Sequence, residues 1–331
     1  MDIMSTSSTS GRTLAMGESE GSTTGRTMVD TPFGHALTQL GRKHRNVVGL
    51  TADLGKYTDI FPFRDAFPDR FFNIGMAEQN MVAVAAGLAR TGKIPYATTY
   101  GVFATRRAYD FVAIALAHSR QNVKLIAGLP GLTTGYGGTH QAIEDLALMR
   151  MIPGLVVIDP CDATDIQQAT WAMYDHDGPV YMRLLRGAVP QVFDSGTPFI
   201  IGKARMARQG RDIGIVSTGM MTERALDAAL ALERKNISVG VLHVPTIKPF
   251  DRDAVCVFAS SVTKVATAEN HVTSGGLASL VVETLYDNGI SKPVTRIGLP
   301  DRFIECGSVP RLQDRYGIST SAMVETLTAL S

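Results

Sequence analysis

Four short stretches of this sequence gather side chains that could do chemistry. In "FFNIGMAEQNM", residues 71–81, Glu78 opens an Ala-rich helical pattern. A carboxylate at a helix N-terminus is favoured by the dipole, so a plain cap is one reading. The other is a buried carboxylate poised against a ring nitrogen, because Gly75 and the small residues 83–87 let a flat ligand or a second subunit approach closely. In "TTYGVFATRRAYDF", residues 98–111, Tyr100, Phe103 and Tyr109 fall on roughly one side of a strand-to-helix junction. That spacing suits a hydrophobic core; it also suits an aromatic box for a heteroaromatic ring.

In "GLTTGYGGTHQAIEDLALMR", residues 131–150, a loop with four glycines feeds a helical pattern led by Thr139 and His140. Thr139 reads as its N-cap, with Glu144 in the first turns. His140 then stands beside a mobile, backbone-rich loop, a setting for proton handling, although an isolated His is as often plain surface or core. In "GPVYMRLLRG", residues 178–187, Arg186 closes a buried strand. Ligands gather at such strand ends in open α/β sheets, and Arg is the natural fork for a phosphate or sulfonate. Arg183 lies an odd number of residues away, so it points to the other face and reads as a structural ion-pair partner.

These residues need a scaffold, and the sequence spells one out. Short β-rich runs at 46–50, 94–100, 123–127, 155–159 and 180–184 alternate with helical stretches at 77–90, 103–117, 141–151 and 163–174. "VKLIA" and "LVVID" are apolar nearly throughout, as in strands buried on both faces. The Pro- and Gly-bearing segment 190–202 reads as a domain boundary. A second series follows, with strands at 213–218, 239–244, 265–269 and 295–298 and helices near 223–234, 276–287 and 320–330. The expected architecture is α/β, with two doubly wound, mostly parallel-sheet domains. Residues 1–25, rich in Ser, Thr and Gly, read as a disordered tail without the apolar segment of a signal peptide.

Composition sets the outer limits. The 331 residues carry a net charge of +1, so no global field draws in nucleic acid or an acidic membrane. No apolar stretch is long enough to span a bilayer. Three cysteines match no metal spacing, and an odd number completes no disulfide framework. Reduced thiols in the cytoplasm are the default reading.

Taken in order, Asp53 in "TADL", then "GMAEQNM", "VFATRRAYD", "GTHQAIEDLALMR" with "IPGLVVIDPCDA", and "GPVYMRLLRG" resemble the C-terminal half of transketolase. More closely, they resemble the separate C-terminal subunit of split transketolases, over roughly residues 26–331. "ENHVTSGGLAS", residues 269–279, stands in place of that family's acidic, Gly-rich turn. The resemblance implies a thiamine diphosphate pyrimidine-binding domain over residues 26–190 and a transketolase C-terminal domain over residues 200–331. It implies transfer of a two-carbon ketol unit from a ketose to an aldose. Glu78 matches the catalytic glutamate that bonds the cofactor's pyrimidine. Phe103 matches the aromatic that stacks on it, Tyr100 stands where a Phe is usual, and Asp53 lines the cofactor site near the subunit contact. His140 matches a catalytic histidine that touches the donor's oxygens, and Arg186 an arginine that binds substrate phosphate.

Departures from the family pattern bear on substrate. Tyr136 stands where an acid usually reads a sugar hydroxyl, Leu129 where a histidine is expected, Asp30 where an arginine is, and Tyr57 where a serine is. A modified or branched sugar phosphate, a sulfo-sugar or an acceptor from secondary metabolism fits this set better than ordinary pentose phosphates. The superfamily holds the diphosphate with Mg²⁺ and a "GDG" motif followed by an Asn, and no "GDG" occurs here. The chain is therefore expected to hold no metal itself. An N-terminal transketolase subunit with that motif should supply the Mg²⁺ site in an α₂β₂ particle. Two rivals remain at this level: the β subunit of a 2-oxo-acid dehydrogenase, and a non-catalytic regulatory subunit.

Overall fold

The computed structural model describes residues 25–331. The tail expected over residues 1–25 lies outside them except for Gly25. Seven strands form the first sheet, in the order Thr246–Lys248, Val156–Ile158, Val180–Leu184, Lys124–Gly128, Ile94–Tyr100, Val47–Thr51 and Phe71–Asn73. All neighbours run parallel except Thr246–Lys248, which pairs antiparallel with Val156–Ile158. That edge strand comes from beyond the 190–202 segment, so the later part of the chain returns to complete the earlier sheet.

Alternate residues of these strands feed two separate cores. Val48, Leu50, Ala97, Leu125 and Val157 pack with Met81, Val82, Val112 and Leu146 on one face. Val47, Tyr96, Ile126, Val156 and Met182 pack with Phe33, Leu37, Ile166 and Met173 on the other. A strand apolar at every position is the sequence consequence of being covered on both faces.

Five strands form the second sheet, in the order Val294–Leu299, Lys264–Val272, Ile213–Ser217, Val239–His243 and Arg205–Arg208. Arg205–Arg208 is an antiparallel edge that the sequence pattern does not reveal, since "RMAR" has no apolar run.

Two helices differ from expectation. The segment expected as one helix over 103–117 is helical, but Phe103–Arg107 and Val112–His118 are wide π turns joined by Tyr109–Phe111. Such i→i+5 turns change which side chains share a face. The helix expected from 141 starts later, at Asp145–Met151. Thr139 is not its N-cap, because residues 139–144 remain in a loop, tied to the start of the glycine loop by Gly131 N–H to Ala142 O at 2.8 Å.

Candidate active site

All the elements that carry the candidate residues leave the sheet at the C-terminal ends of neighbouring parallel strands. Thr51 leads to Asp53, Asn73 to Glu78, Tyr100 to Phe103, Gly128 to the loop with His140, and Leu184 to Arg186. This edge is where open α/β sheets bind ligands.

Asp53 is exposed, with φ of 60°, and Asn73 holds it there. The Asp53 N–H donates to Asn73 Oδ1 at 3.0 Å, and Asn73 Nδ2 donates back to Asp53 Oδ1 at 3.0 Å. Gly75 N–H also donates to Asn73 Oδ1, at 3.1 Å. One amide thus fastens the Asp53 turn to the approach to Glu78, a role with no local signature because the two segments lie 20 residues apart.

Glu78 is the first residue of the helix Glu78–Arg90 and only 1% exposed. Arg107 Nη1 donates to its Oε2 at 2.7 Å, whereas Oε1 has only a long contact, 3.5 Å from Thr99 Oγ1. Its position combines a helix dipole, a cation and burial on one carboxylate.

Tyr100 and Phe103 are offset-stacked, with centroids 6.0 Å apart and planes at 29°. His140 sets its ring edge toward Phe103 at 5.6 Å, Tyr100 at 6.1 Å and Tyr136 at 5.4 Å. Its Nδ1 lies 2.9 Å from Thr139 Oγ1. Tyr109 does not join this aromatic group. Its hydroxyl donates to Leu148 O at 3.1 Å and its ring packs on the core, because the π turns rotate it away from Phe103.

Phe103, His140, Val102, Arg106, Arg107 and Thr139 line an open cleft of about 540 Å³. Arg186 does not line this cleft; its guanidinium lies 5.7 Å from the Tyr57 ring. Burial raises the Tyr100 phenol, and the Arg186 charge acts against that rise. Behind Arg186, Asp59 accepts the Gly187 N–H at 2.6 Å. Burial raises the Asp59 carboxyl, opposed by that hydrogen bond and by Arg186.

The glycine loop is packed, contrary to the mobility expected of it. A Cβ on Gly135 would meet Gly307 O at 2.1 Å, on Gly137 Cys306 Sγ at 2.7 Å, and on Gly131 Asn270 O at 2.2 Å. The glycines let the loop press against the second unit. Asn270 Oδ1 accepts the Leu132 N–H at 2.8 Å, and Gln313 Nε2 donates to Leu132 O at 2.7 Å.

Beneath the loop, Arg183 is 2% exposed and paired with Asp145 and Asp159. The expected ion-pair role holds. Burial opposes its charge, but the two carboxylates outweigh that and hold the guanidinium firmly protonated. Among the described residues, no group of three or more His, Cys, Asp and Glu side chains could hold a metal ion. No helix among them is long and apolar enough to cross a membrane.

A doubly wound sheet with a buried acid, stacked aromatics and cationic side chains at its ligand edge defines the subunit of an α/β enzyme. Residues 27–191 match the family model "Transketolase, pyrimidine binding domain", and residues 202–323 match "Transketolase, C-terminal domain". The chain is 53% identical over 296 residues to the transketolase family protein y4mN of Sinorhizobium fredii, covering 88% of this chain and 86% of that one. It is 39% identical over 289 residues to the 6-deoxy-6-sulfo-D-fructose transketolase subunit SqwH of a Clostridium species, covering 87% and 89%. A solved split gene transketolase, an inactive beta4 tetramer, superposes with a TM-score of 0.84 at 39% identity, covering 90% of this chain and 96% of that one. The chain belongs to the transketolase family. It is a transketolase-type transferase subunit, and neither rival reading is favoured. The family works with thiamine diphosphate.

Proposed function

We propose that this chain supplies the pyrimidine-binding half of a thiamine diphosphate site, with residues 26–190 forming that half and residues 200–331 the C-terminal domain. The observation that carries the reading is Glu78: a carboxylate 1% exposed, with Oε1 lacking a close partner, beside stacked Tyr100 and Phe103. These groups fit a flat, N–H-bearing ring. Bound there, the cofactor would supply the electron sink for a two-carbon ketol transfer.

The chain's own residues then have distinct tasks. Glu78 accepts the hydrogen bond of a pyrimidine ring nitrogen. Phe103 and Tyr100 give the ring an aromatic face, and Asp53 lines the cofactor site near the subunit contact. His140 holds or gives a proton at the donor sugar's oxygens, beside the rings of Phe103, Tyr100 and Tyr136. Arg186 takes the anionic end of the substrate.

The diphosphate and Mg²⁺ belong to a partner N-terminal subunit carrying "GDG", in an α₂β₂ particle. The substrate is a modified ketose or aldose. Tyr136 offers a phenol and an aromatic face where a carboxylate would bind a hydroxyl. The similarity to a subunit whose substrate is a sulfonated fructose supports the same view.

Purified alone with thiamine diphosphate and Mg²⁺, this chain is expected to show no turnover. Adding the partner that co-purifies with it from native cells should restore activity. In a side-by-side screen of the complex, sulfonated or branched sugars should outperform xylulose 5-phosphate with ribose 5-phosphate. Turnover by the chain alone would refute the shared site. A wide preference for the ordinary pentose phosphates would refute the substrate reading only.

A further inference from the structure

Arg107 makes, with one side chain, both contacts that the proposed site offers to a pyrimidine. Its Nη1 donates to Glu78 Oε2 at 2.7 Å, and its Cζ lies 4.3 Å from the Phe103 ring centroid. A guanidinium is flat, delocalised and rich in N–H donors, and it stacks on aromatic rings. A pyrimidine in its imino or ring-protonated form, with a ring N–H directed at a carboxylate, has the same shape of interaction: a donor in the plane and a π face above an aromatic.

The local structure explains how Arg107 reaches both groups. It ends the wide turn Phe103–Arg107, four residues after Phe103. In such a turn the two side chains lie nearly one above the other. An energetic reason follows from burial. Glu78 is 1% exposed, and a buried carboxylate without a counter-charge is costly. Some cation has to stand beside it before a cofactor arrives.

The two partners differ in freedom. The Glu78 side chain is enclosed, whereas the Arg107 side chain is 42% exposed. Arg183 shows the contrast: 2% exposed and locked between two carboxylates, it cannot leave. Arg107 can turn into solvent and remain hydrated.

We propose that Arg107 is an internal stand-in for the pyrimidine. In the cofactor-free subunit it holds the place between Glu78 and Phe103, and thiamine diphosphate enters only by displacing it. This rests on the function proposed above. It makes Arg107 the residue that sets how tightly, and at what stage of assembly, the cofactor is taken up.

The test uses the complex isolated through a tag on this chain and stripped of cofactor. Thiamine diphosphate with Mg²⁺ is titrated calorimetrically into wild type and Arg107→Met. The variant is expected to bind about tenfold more tightly, the scale of one charge-assisted contact no longer competed for. Equal or weaker binding by the variant overturns the proposal. A structure of the loaded wild-type complex gives a second, independent reading that needs no variant. Arg107 should have left the Phe103 face, and finding it still over Phe103 and on Glu78 overturns the proposal as well. If the wild-type complex binds no thiamine diphosphate, the proposed function falls together with this inference. If wild type binds and Arg107→Met binds no tighter, only the inference falls.

Discussion

Arg106 donates from Nη1 to the carbonyl oxygen of Gly138 at 2.7 Å. The same guanidinium donates from Nη2 to Gln141 O at 3.3 Å and ion-pairs with Glu144. The two carbonyls bracket His140 in the chain. On its outer side Arg106 meets the Phe303 ring, 5.4 Å from Cζ, so the second unit braces the same side chain. Arg106 therefore fixes the loop that holds His140 against Phe103.

Arg106→Ala is expected to lower kcat/KM of the complex by about tenfold or more, the scale on which small displacements of a reacting group act. Arg106→Lys should recover only part of the loss. An ammonium cannot reach two carbonyls and a carboxylate in one plane. Wild-type kinetics in the Ala variant would leave Arg106 no positioning role.

Glu78→Gln keeps the size of the side chain but removes its charge. A neutral amide cannot draw a ring N–H as a carboxylate does. Turnover of the complex is expected to fall about a hundredfold, the scale of positioned proton-transfer groups. The melting temperature should change little, because Arg107 is partly exposed and can turn to water. Turnover near the wild-type value would remove Glu78 from the proposed site.

Arg183→Met tests the foundation under the glycine loop. Arg183 Nε donates to Asp145 Oδ2 at 2.9 Å, and Nη1 reaches Asp159 Oδ2 and Asn270 O, each at 3.3 Å. Met fills much of the space but leaves two buried carboxylates without a cation. Breaking a buried pair in this way costs about 3–5 kcal/mol. Urea unfolding of the chain should show a loss of that size. A loss below about 1 kcal/mol, the scale of an exposed pair, would mean that Asp145 and Asp159 find other partners.

How much of this was readable in the sequence depends on the range of the interaction. The strands at 124–128 and 156–158 were legible in "VKLIA" and "LVVID" because both of their faces are buried, which favours a nearly unbroken apolar run. Glu78, Phe103 and His140 were legible as a set, and the fold brings them to one edge of the sheet. The core reading of Tyr109 holds, but its shared face with Tyr100 and Phe103 does not, because that face was judged with an ordinary helical period, and the π turns break that period. Arg107 stood in the quoted motif, yet its contact with Glu78 spans 29 residues and leaves no local pattern. The glycines of the 131–138 loop looked like freedom. Their purpose lies in Asn270, Cys306 and Gly307, which no local window contains.

His271 offers the clearest dependence on pH. Its Nε2 accepts the Ala147 N–H at 3.2 Å, while Nδ1 donates to Val272 O at 2.6 Å. Only a neutral ring does both, since a proton on Nε2 would face the Ala147 N–H. Burial is the chief cause that lowers this imidazole from 6.5 to about 4; Arg183 adds to it and Asp145 opposes it. The unfolded chain therefore takes up the proton first. The stability that neutral His271 contributes is present above pH 6.5 and is lost as pH falls toward about 4. Glu269, 3.7 Å from Nδ1, runs the other way. Burial raises its carboxyl from 4.5 to about 7, against the N–H bonds of Ala278 and Leu277. Its contribution is full below pH 4.5 and is lost as pH rises through about 7. Between these limits the two slopes oppose each other, so the wild-type curve is flattened. His271→Gln removes one slope only. Urea unfolding at a series of pH values should show the wild type gaining on the variant as pH rises from about 4 to 6.5. A gap between the two proteins that stays constant across that window would mean that His271 is not held neutral by the fold.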